Sequence, residues 1–258
     1  MKKGLFDVSV HEAKAIEIFG DDAFYAGEAI FTQPLLILGF TNRSGSNLLA
    51  QYMTQHPLVF GLEEKLNWPV FKKNKSMFGV NSIEGHVRQE VEKTGCQDGG
   101  FWGVKASSGQ LLMLHRLGIL SMFPSAKVIY NSRLSVVDQA VSHLIASQTK
   151  QWTSELVNEL GVEPQYSTDS LLKLMGNIAR ENGRFVQLAS LFNLPIYPVI
   201  YEQLTADPHR VMKQLFAELD FEHHEINVED VKLKKQSNEI NRKFAETIRN
   251  DTEKLMRN

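Results

Sequence analysis

The segment Leu35-Leu36-Ile37-Leu38-Gly39-Phe40 is an unbroken apolar run, and Thr41-Asn42-Arg43-Ser44-Gly45-Ser46 follows it at once. A strand with no polar face has no side turned to water, so the run predicts a central strand of a parallel sheet covered on both faces by helices. Leu48, Leu49, Tyr52 and Met53 then recur at helical spacing until His56-Pro57, where proline stops the helix. Strand, polar turn and helix in this order aim several backbone N–H groups at one point, with the positive end of the helix dipole behind them. Phosphate or sulfate fits such a point. Arg43 adds a guanidinium, and Ser44, Ser46 and Asn47 add side-chain donors.

The rest of the chain continues the alternation. Leu111, Leu112, Leu114, Leu117 and Leu120 predict a buried helix ending near Phe123-Pro124, followed by a strand from Ala126 to Asn131 and a helix opening at Arg133. A long amphipathic helix is expected from Thr168 to Leu191, although Gly176 and Gly183 weaken it. Ile196 to Tyr201 reads as a further buried strand, and Asp207-Pro208, an N-cap with proline in the first helical position, starts a helix to about Leu219. Repeated strand–helix units imply an α/β fold with a central parallel sheet, whose ligands bind beyond the carboxyl ends of the strands. The loops that matter therefore follow Phe40, Asn131 and Tyr201.

Composition narrows the class. At about 150 residues per domain, a chain of 258 fits one domain, here 1–258. Twenty-eight basic and 30 acidic side chains leave a formal charge of −2, so bulk charge advertises no nucleic-acid or anionic-membrane partner. The only cysteine, Cys96, has no intramolecular partner for a disulfide and makes a poor metal site. Charges at Asp7, Glu12 and Lys14 break any secretory h-region, and the longest apolar run is far short of the roughly 20 residues a membrane helix needs. A cytoplasmic protein without a transmembrane segment is expected.

The loop is not a Walker A sequence: Gly39 and Gly45 stand one residue too far apart, and Ser46 occupies the lysine position. The strand at Ala126 to Asn131 also lacks a terminal acid to organise magnesium. An ordinary strand-to-helix turn, with serines that only cap, remains an alternative on the loop alone.

Phe40-Thr41-Asn42-Arg43-Ser44-Gly45-Ser46-Asn47-Leu48-Leu49 resembles the 5′-phosphosulfate loop of sulfotransferases, R-S-G-[ST]-[ST]-L-L. Val128 to Arg133 continuing to Gln139-Ala140-Val141-Ser142 is similar to the 3′-phosphate motif, with its arginine and serine nine residues apart. Gln148-Thr149-Lys150-Gln151-Trp152 matches the Q-T-x-x-W stretch of a bacterial branch related to trehalose 2-sulfotransferase and lipopolysaccharide or Nod-factor sulfotransferases. Phe101 to Lys105 resembles the family's G-x-K strand, Tyr201 to Pro208 its Y-E-D-L-x-x-D-P, and Gln236 to Asn241 its C-terminal segment. Asn42, Asn47, Asp138 and Gln203 depart from the pattern, and residues 1–30 lie outside the resemblance.

The resemblance implies a P-loop-like sulfotransferase fold. It implies 3′-phosphoadenosine-5′-phosphosulfate (PAPS) as co-substrate, no metal, and transfer of the sulfuryl group to a carbohydrate or glycolipid hydroxyl. Arg43, Ser44, Gly45, Ser46 and Asn47 would hold the 5′-phosphosulfate, and Arg133 with Ser142 the 3′-phosphate. Lys105 would face the sulfuryl group or the acceptor. Glu64, or its neighbour Glu63, would be the base, its pKa raised by partial burial. His115 and His143 are rival bases, Trp152 with Gln148 and Thr149 would line the acceptor cleft, and Lys234 and Lys235 would close over the nucleotide. Segments 148–166 and 65–96 are expected to build the acceptor site. Related proteins form homodimers. A P-loop-type small-molecule kinase and a non-catalytic nucleotide-binding relative stand as the competing functions.

Overall fold

The computed structural model describes residues 4–152, 161–231 and 239–257. Helix α1 (Val10–Phe19) leads to β1 (Leu35–Phe40), α2 (Ser46–Met53), β2 (Val59–Glu63), α3 (Trp68–Phe78), α4 (Ile83–Thr94), β3 (Phe101–Ala106) and α5 (Ser108–Arg116). There follow β4 (Ala126–Ser132), α6 (Val136–Thr149), α7 (Thr168–Leu191), β5 (Ile196–Ile200), α8 (Tyr201–Ala206), α9 (Pro208–Glu218) and α10 (Glu239–Arg257). The five strands among the described residues form one parallel sheet in the order β2-β3-β1-β4-β5.

All six residues of β1 are buried because both sheet faces are covered, as the unbroken apolar run requires. Leu35 and Ile37 point into a core shared with α1, α3, α4, α5 and part of α7, whereas Leu36 and Leu38 point into the opposite core, built with α2 and α9. A third cluster joins α6, α7 and α10 above the sheet. From β1 the chain moves to β2 on one side, and from β4 it moves to β5 on the other, so the direction reverses between β1 and β4. At such a switch point the loops part and leave a crevice. Register sets what stands there: Phe40 lies opposite Asn131, and Leu38 opposite Lys105.

Three expected boundaries move. Arg133 does not open a helix: α6 starts at Val136, because Ser135 caps it by accepting from the Asp138 N–H. Tyr201 is not a strand residue but the first of α8. The β4–β5 ladder ends at Ser132 opposite Ile200, so Tyr201 has no strand partner and its backbone turns helical. The leucine helix stops at Arg116 instead of reaching Phe123. Gly118 turns with φ +73° against the Tyr25 carbonyl, and only a single 3₁₀ turn, Leu120–Met122, follows. In contrast, α7 runs unbroken over its 24 residues. Gly176 and Gly183 face open space and cost it only propensity.

Two glycine-to-alanine changes are expected to act in opposite directions. A Cβ at Gly39 would lie 2.1 Å from Cζ of the fully buried Phe185, so G39A overpacks the core and loses about 1–3 kcal/mol. G183A, with nothing within 4 Å, gains roughly 0.5–1 kcal/mol. Urea unfolding midpoints measure both.

Candidate active site

The loop after β1 is held from behind by two fully buried amides. Gln139 Nε2 donates to Thr41 Oγ1 and to the Asn42 carbonyl, both at 2.8 Å, and Asn131 Nδ2 donates to the Ser44 carbonyl at 3.0 Å and to its hydroxyl at 3.3 Å. Arg43 (φ +65°) and Gly45 (φ +92°) bracket Ser44 in left-handed backbone. At Gly45 the choice is forced, since a Cβ would stand 2.2 Å from the Tyr201 ring. Leu48 and Leu49 N–H both reach the Gly45 carbonyl. The N–H groups ahead of them are those a helix start leaves without intrahelical partners. Ser44 and Ser46 are buried, Ser44 with its hydroxyl already engaged, while Asn47 is exposed and gives its side-chain oxygen to the Lys105 ammonium.

Two arginines meet at the switch point. Arg43 Nε donates to Ser142 Oγ at 2.9 Å, and its Nη1 to the Trp152 carbonyl. Arg133 Nη1 donates to the Arg43 carbonyl at 3.3 Å, and its guanidinium lies 4.5 Å from the centre of the Tyr201 ring. Ser142 therefore partners Arg43, not Arg133 as the motif spacing suggested. Arg133 sits in the loop before α6 and turns under the phosphate loop. Its Nε is buried, 3.7 Å from Glu202, and makes no hydrogen bond among the described residues. Glu202 is itself occupied by the N–H groups of Leu134 (3.0 Å) and Ser135 (3.3 Å). The tyrosine and the acid of the Tyr201-Glu202 pair thus seat Arg133. Burial, and then the facing Arg133, lower the pKa of Arg43. Arg43, Arg133, Ser142, Tyr201 and Glu202, with Arg242 from α10, line a cleft of about 380 Å³.

On the other side of the loop stands an acid. In β2, Gly61 and Leu62 both adopt positive φ and the register slips between Gly61 and Glu63. The slip separates the neighbouring acids, both of them exposed: Glu63 pairs with Lys65 at 2.7 Å, whereas Glu64, its side chain 46% exposed, reaches Lys105 at 3.1 Å and the Asn67 amide at 3.0 Å. Lys105, 4% exposed, also lies 4.7 Å from the Phe40 ring centre. Burial pushes the Glu64 carboxyl up, but the Lys105 ammonium and the Asn67 amide outweigh it and hold the group below its ordinary value. This corrects the expectation of a raised pKa, which counted burial and missed the cation. Burial pulls Lys105 down in turn, and Glu64 partly offsets that.

His143 lines a second cleft of about 430 Å³, with Asn42, Ser107, Leu174, Asn177 and Ile178 among the other walls. Its Nδ1 is buried without a hydrogen-bond partner among the described residues, and its ring meets the edge of Trp152 at 5.7 Å. His115 stacks on Phe192, 4.0 Å between centres, away from both clefts. Gln148 bonds to the Gln165 backbone, and Thr149 closes the last turn of α6. Segment 65–96 forms α3 and α4, joined by the buried Asn74, His86 and Glu90. Lys234, Lys235 and residues 236–238 lie outside the described residues. Asn67, Gln110 and His11, all tied to Glu64 or to its partners, carried no motif in the sequence.

A five-stranded parallel sheet covered by helices on both faces, with a tight turn at its switch point, defines an α/β protein of the P-loop-like class. The model of the Stf0 sulphotransferase family matches residues 35–251, and the chain belongs to that family. Its fold is that of the sulfotransferases. The structure of mouse sulfotransferase SULT7A1 complexed with PAP superposes with a TM-score of 0.51 at 13% identity, covering 84% of this chain and 68% of that one. A sulfotransferase from Alicyclobacillus acidocaldarius gives 0.49 at 13% identity over 85% of this chain and 92% of the other. The sulfotransferase domain of the Synechococcus PCC 7002 olefin synthase gives 0.45 at 15% over 86% and 96%. No curated protein sequence matches the chain. No helix among the described residues is long and apolar enough to cross a membrane.

Replacing Lys105 by methionine keeps the burial of Glu64 and removes the cation. The Glu64 carboxyl is expected to titrate at higher pH in K105M than in the wild type, as followed by ¹³C NMR of labelled glutamate.

Proposed function

We propose that the chain transfers the sulfuryl group of PAPS to a hydroxyl of a carbohydrate or glycolipid. The observation that carries this reading is the pair of guanidinium groups meeting beside the loop, with a lysine–glutamate pair on its far side. Two guanidinium groups side by side offer forked donors to phosphate, and the nucleotide carries phosphates at both its 3′ and 5′ positions. The buried, unbonded Nε of Arg133 and a cradle that admits no Cβ at Gly45 fit such a ligand.

When bound, PAPS supplies an activated sulfuryl group with a stable bisphosphate as leaving group. Arg43 and the N–H groups around Gly45, Ser46 and Asn47 hold the 5′-phosphosulfate and take up the charge that grows on the bridging oxygen as its bond to sulfur breaks. Ser44 and Ser46 brace that cradle, Arg133 holds the 3′-phosphate end, and Ser142, bonded to Arg43, stands between the two. Glu64 takes the proton of the acceptor hydroxyl as the hydroxyl oxygen bonds to sulfur. Lys105 drawn toward the sulfuryl oxygens removes the ammonium that holds the Glu64 carboxyl down, which favours proton uptake by it. Phe40, Leu174 and Ile178 give the second cleft an apolar wall, and Asn42, Asn177 and Ser107 a polar one, a mixture suited to a sugar or glycoside. On this reading the chain is cytoplasmic, and related proteins that can dimerise extend a homodimer to it by analogy alone.

Calorimetric titration with adenosine 3′,5′-bisphosphate is expected to show binding that ATP with magnesium does not. The reverse selectivity would make the chain a kinase, and bisphosphate binding without turnover would make it a non-catalytic relative. Radiolabelled sulfate from PAPS should appear in glycan or glycolipid fractions. R43A should lower that rate by about 10²–10³, with R43K a poor rescue because an ammonium cannot fork. E64Q should abolish transfer and spare bisphosphate binding. Leu174→Trp, which fills the second cleft, should do the same.

A further inference from the structure

We infer that His11, from helix α1 and outside the family match, is a positioning residue for Glu64: it holds the first N–H of helix α3 and so fixes Asn67, whose side chain aims the carboxylate. The inference rests on the reading of Glu64 as the base. Asn67 occupies the N-cap position of α3, where asparagine ordinarily bonds back to its own helix. Here it makes no such bond. Its Nδ2 donates to Glu64 Oε2 at 3.0 Å and its Oδ1 accepts from Gln110 Nε2 at 2.9 Å. Gln110 is fixed in turn, since its Oε1 accepts from the Ser107 N–H and hydroxyl in the capping box of α5. The amide of Asn67 is thus held at both ends with its donor toward Glu64.

The start of α3 is held without the Asn67 side chain. Pro69 has no N–H to satisfy, and Val70 and Phe71 donate to the Asn67 carbonyl. The remaining donor, the Trp68 N–H, goes to His11 Nδ1 at 3.1 Å. An accepting Nδ1 is unprotonated, so the neutral ring carries its proton on Nε2. Burial keeps the ring neutral by pulling its pKa down, against the opposing pull of Glu64.

The segment that delivers His11 is clamped in place. Arg184, 7% exposed, donates to the carbonyls of Leu5 (3.0 Å) and Asp7 (2.8 Å), and Arg116 to that of Phe6 (2.7 Å) and to Glu12 (3.2 Å). Ser9 caps α1 and lies so close to Gly109 that a Cβ there would come within 2.9 Å of it. The start of α1 is therefore locked onto the start of α5, beside Gln110.

The test compares H11A, H11N, N67A and the double variant H11A/N67A. The carboxyl titration of Glu64 is followed by ¹³C NMR, and melting temperature and bisphosphate binding are measured alongside. H11A should raise the Glu64 midpoint by about half to one pH unit, and the double variant should lie no higher than N67A. H11N, whose Oδ1 stands where Nδ1 stood, should return both the midpoint and the melting temperature toward wild type. A midpoint unmoved by H11A, or shifts from H11A and N67A that add, would overturn the inference. With an acceptor in hand, kcat should fall in H11A and recover in H11N while bisphosphate affinity stays level. A wild type that neither binds the bisphosphate nor moves label would sink the sulfuryl-transfer reading alone, because the midpoints decide the positioning separately.

Discussion

Two guanidinium groups face one another where the sheet reverses direction, and the structure around them is arranged to tolerate that. Arg133 is stacked on Tyr201 and lies 3.7 Å from Glu202, which also accepts from two backbone N–H groups. Arg43 donates to the Ser142 hydroxyl and to the Trp152 carbonyl. A chain with a net formal charge of −2 has concentrated its cationic character locally, which is why bulk charge announces no anionic partner.

The fold places these groups through strand register rather than through loop length. Arg43 leaves the end of β1 and Arg133 the end of β4, the two strands on either side of the reversal, so their loops must part and then meet over the same crevice. Lys105 enters from β3, one strand over, and its Nζ lies between Asn47 and Glu64. The donor side and the acid side share the loop as a common wall. A change in the β1–β3 register by one residue would turn Lys105 to the other face and leave Glu64 without its cation.

The sheet was legible because it rests on strong local signals. Leu35–Phe40 is too apolar to be anything but a covered strand, and Asp207-Pro208 marks a helix start wherever it falls. The anion loop and its arginines were legible for the same reason: turn chemistry and motif spacing are local. Distance along the chain hid the rest. Ser142 stands at helical spacing from nothing that reveals Arg43 as its partner, and the two are 99 residues apart. Strand β2 was hidden by its own irregularity, with positive φ at Gly61 and Leu62 where a strand pattern demands regular alternation. The sign of the Glu64 shift was missed because Lys105, legible in its strand motif, was set against the sulfuryl group or the acceptor, and its pairing with Glu64, 41 residues away, leaves no local pattern.

This asymmetry between the two sides of the loop has a physical origin. A phosphate group is the same in every nucleotide, so the turn, the glycine without room for a Cβ and the forked cations have one good arrangement and leave a recognisable pattern. The acid side has to fit an acceptor whose shape is not fixed, and it is assembled from residues whose types are ordinary: an asparagine diverted from its cap, a glutamine in a capping box and a histidine in the first helix. None of them is unusual at its own position. What marks them is that Asn67 forgoes the side-chain bond its position normally makes and turns its amide to Glu64 and Gln110 instead. A helix start whose cap residue bonds outward shows where it has been given over to the neighbouring site, even where no motif remains to be read.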